Sequence, residues 1–148
     1  MKKVVITLLP LFLFFSFPVY AVPYNVDIEL LRRFNEGNLA LEGFPWGSID
    51  WEEKMVIVKG IGMVPEKYET EAQAKLLARR AAVLIAQRNA LFLLYQLNYP
   101  LPKGYKSVKI KGVVGGGYVT EEIFDGKFYR IVLKIPLKEL LEYSVEVQ

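Results

Sequence analysis

Residues 70–97, TEAQAKLLARRAAVLIAQRNALFLLYQL, contain neither proline nor glycine. Nearly every residue in this stretch favours a helix. Thr70 with Gln73 reads as a capping box, in which each side chain satisfies an orphan N–H of the first turn. A helix of this length is what the rest of the chain must pack around.

At about 100° per residue, Ala74, Leu77, Ala78, Ala81, Ile85, Phe92 and Tyr95 share one face, small at the start and bulky at the end. Alanines there would let the helix lie close to a sheet. A second apolar row, Leu76, Val83, Ala90, Leu94 and Leu97, falls roughly opposite and needs a separate cover. Leu76, Val83, Leu94 and Leu97 are therefore the candidate oligomer face. Arg88 projects into the first apolar face, where a charge is costly without a partner.

Before the helix, residues 26–35 carry apolar positions at Val26, Leu30, Leu31 and Phe34, a short helix that Gly37 would end. The aromatic loop around Gly43-Phe44-Pro45-Trp46-Gly47 follows, with Trp46 and Trp51 as core cover or, alternatively, ligand-stacking rings. Residues 54–64, KMVIVKGIGMV, form a β-branched run that reads as the first strand. Gly60 and Gly62 within it suit close approach of an alanine-faced helix. They make no nucleotide fingerprint, since the third glycine at a helix start is missing.

After the helix, residues 107–114 alternate as a half-buried strand, and residues 118–124 resume the pattern beyond Gly115-Gly116-Gly117. That glycine triplet reads as a bulge or bend in one long strand. Asp125-Gly126 is a short hairpin signal leading into a strand that Pro136 ends, with a final helical turn or two over residues 137–143. The expected fold is α+β: one long helix on a curved, mainly antiparallel three-stranded sheet in β-α-β-β order, preceded by the short helix and aromatic loop. Residues 22–48 form the N-terminal helix and loop, and residues 49–143 a single domain.

The chain begins with Lys2 and Lys3, an apolar run to Val19, and Val19-Tyr20-Ala21, the layout of a secretory signal over residues 1–21 cleaved after Ala21. An uncleaved anchor is the alternative; the run is short for a membrane span and interrupted by Pro10 and Pro18. Of 19 basic and 16 acidic residues, the signal takes two lysines, leaving 17 against 16. A near-neutral mature chain with no dense Lys/Arg patch gives nucleic-acid binding little support. Export to the periplasm or medium, without a stable membrane anchor after cleavage, is the expectation.

The chain has no cysteine and no histidine. These absences exclude disulfides, a lipid-acceptor cysteine, Cys–His pairs, Ser–His–Asp triads and the usual zinc sets, leaving only carboxylates for a metal. No metal, cofactor or catalytic residue is expected. Glu52-Glu53, Glu69 with Glu71, and Glu121-Glu122 read as solvated acids; Lys106 and Lys109 beside Ser107 do not mark a Ser–Lys dyad. The most distinctive polar set is Arg79, Arg80, Arg88 and Asn89. The structural reading places Arg88 across the helix–sheet interface on carbonyls or a carboxylate and Asn89 on a neighbouring strand; the functional one is a partner-protein or anionic-ligand site.

Ile49-Asp50-Trp51-Glu52-Glu53, Val58-Lys59-Gly60-Ile61-Gly62, Gln73-Ala74-Lys75-Leu76-Leu77-Ala78-Arg79-Arg80-Ala81-Ala82 and Gln87-Arg88-Asn89 together resemble a bacterial envelope family. It includes the twenty-kilodalton Lpp surface lipoproteins and the N-terminal domain of flagellar assembly protein T. Val113-Val114, Asp125-Gly126-Lys127-Phe128-Tyr129 and Ile135-Pro136-Leu137 are similar to its hairpin and closing strand. The resemblance implies a helix wrapped by a small sheet, dodecin-like in outline, in an envelope protein without catalytic activity; the lipoprotein cysteine of the family is absent here, so its lipid anchor is not carried over. The function expected is a protein-interaction or self-assembly module, a homo-oligomer with envelope or flagellar partners. The alternative is a small-ligand carrier whose oligomer contacts around Trp46, Trp51 or Gly115–Gly117 enclose an aromatic compound.

Overall fold

A computed structural model describes residues 21–148; the export signal expected over residues 1–21 falls almost wholly outside the described residues. The long helix, α3, spans Glu71–Tyr95. Thr70 Oγ1 accepts from the Gln73 N–H at 3.1 Å, as the capping box requires. The return bond is displaced by one residue, because Gln73 Oε1 accepts from the Glu69 N–H at 2.8 Å.

Over the described residues the chain is a mixed α and β fold in two antiparallel sheets. Before α3 come β1 (Val22–Pro23), α1 (Ile28–Phe34), α2 (Leu39–Glu42), β2 (Gly47–Asp50) and β3 (Met55–Met63). After it come β4 (Val108–Ile110), β5 (Tyr118–Phe124), β6 (Phe128–Pro136), α4 (Leu137–Ser144) and β7 (Val145–Val147). The larger sheet has the order β2-β3-β6-β5, and a smaller one the order β1-β7-β4.

This differs from a single three-stranded sheet. Residues 47–50 form a fourth strand, paired from Gly47 with Val58 to Asp50 with Met55; a four-residue run with a glycine and an aspartate is too short to show alternation. Residues 107–124 are not one bent strand either. Gly116 and Gly117, at φ +73° and +95°, turn the chain between β4, which pairs with β7, and β5, which pairs with β6. Such angles suit glycine, so the triplet separates two sheets where a bulge would have bent one.

The expected Asp125-Gly126 hairpin is present: Gly126 has φ +95°, and Asp125 Oδ1 accepts from the N–H groups of Lys127 and Phe128 at 2.9 and 2.7 Å. The closing helical turns are α4, and the early helix is α1.

α3 packs on β3 and β6 through Ala74, Ala78, Ala82, Ala86 and Ala90, all buried and four residues apart. The contact is close enough to need the two glycines. A Cβ at Gly60 would lie 2.0 Å from the Ala82 carbonyl oxygen, and one at Gly62 would lie 2.0 Å from that of Ala78. The first apolar face is therefore rotated from its expected position. Leu77, Phe92 and Tyr95 are exposed, since the narrow gap admits methyl groups and nothing larger.

The second row splits as well. Leu94 and Leu97 are buried with Leu93 in a cluster that includes Tyr24, Leu31 and Leu41. They belong to the core, because the N-terminal segment covers the end of α3, and cannot serve as an oligomer face. Leu76 is exposed and Val83 half-buried. Three asparagines bind the cover: Asn35 Nδ2 donates to the Asn98 carbonyl at 2.9 Å, Asn38 Nδ2 to that of Gln96 at 2.7 Å, and Asn35 Oδ1 accepts from the Asn98 N–H at 2.8 Å.

Candidate functional site

Strand alternation gives the larger sheet two different faces. Val56, Val58, Gly60 and Gly62 of β3, with Tyr129, Ile131, Leu133 and Ile135 of β6, are buried. The alternate positions, Lys59, Ile61 and Met63 of β3 paired with Val132, Arg130 and Phe128 of β6, point the other way. Glu121 and Ile123 of β5 lie opposite Val132 and Arg130. On this second face Ile61, Met63, Ile123 and Trp46 stay exposed, at 40, 54, 62 and 52%.

The ladder between β2 and β3 stops at Lys59. Its N–H donates to the Trp46 carbonyl at 2.9 Å, and its carbonyl accepts from Asn89 Nδ2 at 2.7 Å. Asn89 thus takes the acceptor that a further residue of β2 would have used, and the edge of β3 beyond it is left without a paired strand. A cavity of about 590 Å³ lies across this edge. Its walls come from α3 (Ile85, Arg88, Asn89, Phe92), from Trp46, from Lys59, Gly60 and Ile61 of β3, and from β5 and β6, mostly at outward positions with the inward Ile131 besides. That volume is within the range of small-molecule sites, roughly 300–1,000 Å³.

The cavity is mainly apolar, with Lys59, Arg88 and Arg130 as its cations and Glu121 as its one carboxylate. Arg130 is engaged: Nη1 donates to Asp125 Oδ2 at 3.0 Å. Arg88 lies with its guanidinium carbon 5.1 Å from the Phe92 ring centroid, a cation–π contact, and makes no ion pair among the described residues. No hydroxyl and no second carboxylate lines the cavity, so no acid/base pair is assembled there.

The four polar residues singled out in the sequence are not gathered into one site. Asn89 is buried on the β3 carbonyl, as its structural reading held. Arg88 does not cross the interface to a carbonyl or carboxylate; it is exposed over Phe92, because the alanine row and not the Ile85–Phe92 side faces the sheet. Arg79 pairs with Glu122 of β5 at 2.5 Å. Glu122 also accepts from the Tyr129 hydroxyl at 2.8 Å, so it is not a merely solvated acid. The Arg79 and then the Tyr129 hydrogen bond hold its carboxyl below the ordinary glutamate range. Arg80 is exposed and does not line the cavity.

Of the two tryptophans, Trp46 lines the cavity, whereas Trp51 is half-buried and lines a smaller one of about 210 Å³ beside Leu41 and Ile49. Gly115–Gly117 line neither. Lys59, Ile61, Ile123 and Arg130 went unnoticed as site residues. Their strands alternate visibly, but alternation does not tell which face lacks a second layer. Among the described residues no group of three or more His, Cys, Asp or Glu could hold a metal ion, and no helix is long and apolar enough to cross a membrane. No family model matches the chain, and no curated protein matches it.

Proposed function

We propose that this chain is an exported, non-catalytic envelope protein that works as an interaction and self-assembly module through the outer face of its larger sheet. The observation that carries this reading is the exposure of Trp46, Ile61, Met63 and Ile123 on a face opposite the one α3 covers. Exposed apolar side chains interleaved with Lys59 and Arg130 on one sheet face suit an interaction surface. The resemblance of the sequence to the envelope and flagellar family supports the compartment, and Arg79, Arg80 and Leu76 on α3 offer a second surface for a partner.

Light scattering on the purified protein at tens of micromolar tests assembly. A defined homo-oligomer that Ile123→Lys or Met63→Lys converts to monomers, with an unchanged circular dichroism spectrum, is the expected result; a wild-type monomer at every concentration refutes self-assembly. N-terminal sequencing of the exported protein should begin at Val22.

The cavity across β3 favours a second reading, a small-ligand carrier. Its walls are contributed by one chain, so this carrier needs no oligomer to enclose its ligand.

A further inference from the structure

The geometry points to a monoanionic amphiphile with an aliphatic body, of the fatty-acid class, as the ligand of the cavity across the free edge of β3. This rests on the carrier reading and names its substrate class. Three features select the chemistry. The walls are dominated by Ile61, Ile85, Ile123 and Val132, with Trp46 and Phe92 as the aromatic members, a lining that suits a methylene chain. With Arg130 paired to Asp125, Lys59 and Arg88 still outnumber the single acid of the lining, Glu121, so the cavity favours a negative head group and disfavours a cation.

Arg88 is the group for that head. Its guanidinium rests on Phe92 and makes no ion pair among the described residues, which leaves its planar fork of donors for a carboxylate. Arg130 is already held by Asp125, and the Asn89 amide is spent on the Lys59 carbonyl. A polyphosphate would need a glycine-rich cradle or a helix N-terminus, and the lining has neither: Gly60 is buried under Ala82 and Ala86, and α3 contributes its middle and C-terminal turns. The head group sits at Arg88 and the chain runs along Ile61 and Ile123 over the β3 edge.

The experiment is calorimetric titration of the whole protein with dodecanoate, dodecanol and dodecylammonium, each below its micelle concentration, alongside Arg88→Glu and Arg80→Glu. One dodecanoate per chain, a response of tryptophan fluorescence that Trp46→Phe removes, and a loss of affinity of about tenfold or more in Arg88→Glu but not in Arg80→Glu are expected, since charge-assisted hydrogen bonds have that worth. Dodecanol or dodecylammonium binding as tightly as dodecanoate overturns the anionic assignment while leaving a carrier in place. Absence of binding by all three overturns both. The head-group comparison uses the unmodified protein, so it decides the question even if Arg88→Glu fails to fold.

Discussion

Replacing Gly60 by alanine should destabilise this protein through one helix–strand contact. The new Cβ would lie 2.0 Å from the Ala82 carbonyl oxygen, 2.8 Å from the Ala86 nitrogen and 2.9 Å from the Ala86 Cβ. Two of these three are backbone atoms of a 25-residue helix, so no rotamer change relieves them. Restoring an ordinary contact of about 3.5 Å requires α3 to withdraw by roughly 1.5 Å, and a gap of even about 0.5–1 Å already forfeits a quarter to a half of each dispersion contact along the row. We expect a loss of about 2–3 kcal/mol, the upper range for overpacking, after the gain of about 0.5–1 kcal/mol that alanine brings in a strand. That corresponds to a fall of roughly 10 °C in Tm for a domain of this size. Urea unfolding followed by circular dichroism measures it, with Gly112→Ala as control, because a Cβ there meets nothing within 4 Å. Adding Ala82→Gly to Gly60→Ala should not restore stability, since the nearest obstacle is a carbonyl. A loss below about 0.5 kcal/mol, or rescue by Ala82→Gly, would refute the reasoning.

Leu94→Glu should prevent folding or lower stability by more than about 3 kcal/mol, whereas Leu76→Glu should leave it within about 0.5 kcal/mol, because Leu94 is fully buried and Leu76 is 47% exposed; urea titrations of the two variants decide this. Asn89→Ala should cost about 1–2 kcal/mol by orphaning the Lys59 carbonyl, and hydrogen exchange should quicken first at the β3 edge. The backbone N–H of Phe128, then that of Lys127, then Arg130 pull the Asp125 carboxyl down from 3.8 to about 2. Its stabilisation is therefore present above about pH 4 and lost as pH falls towards 2, so the stability gap between wild type and Asp125→Ala should narrow across that window. Burial raises the hydroxyls of Tyr99 and Tyr24, which donate to the Leu94 and Pro100 carbonyls at 2.6 and 2.8 Å. Folded protein resists their ionisation while the unfolded chain ionises near pH 10, so stability should fall above pH 10, and Tyr99→Phe should reduce that slope.

What the residues disclose and what they conceal follow one division, between local rules and the choice of neighbours. The Thr70 cap, the Asp125-Gly126 turn and the last helix at Leu137–Ser144 are local, and each is present where its residues signal it. The facing of α3 is not local. Its sequence is apolar nearly all round, so angle alone cannot choose between the Ile85–Phe92 side and the alanine row; the choice is made by Gly60 and Gly62, some twenty residues earlier, which admit only alanines. The smaller sheet was equally hidden, since β4 pairs only with β7 at the far end of the chain, and β7 in turn pairs with β1 at the other end of the described residues. The candidate site inherits both kinds of concealment. Asn89 could be read as a strand cap because a buried amide needs a carbonyl, but rotating α3 onto its alanines is what carries Arg88 and Phe92 out to the free edge of β3. The cavity thus exists because β3 is glycine where the helix crosses and unpaired where β2 ends. Lengthening β2 by pairing residues opposite Ile61 would close it, whatever side chains lined its walls.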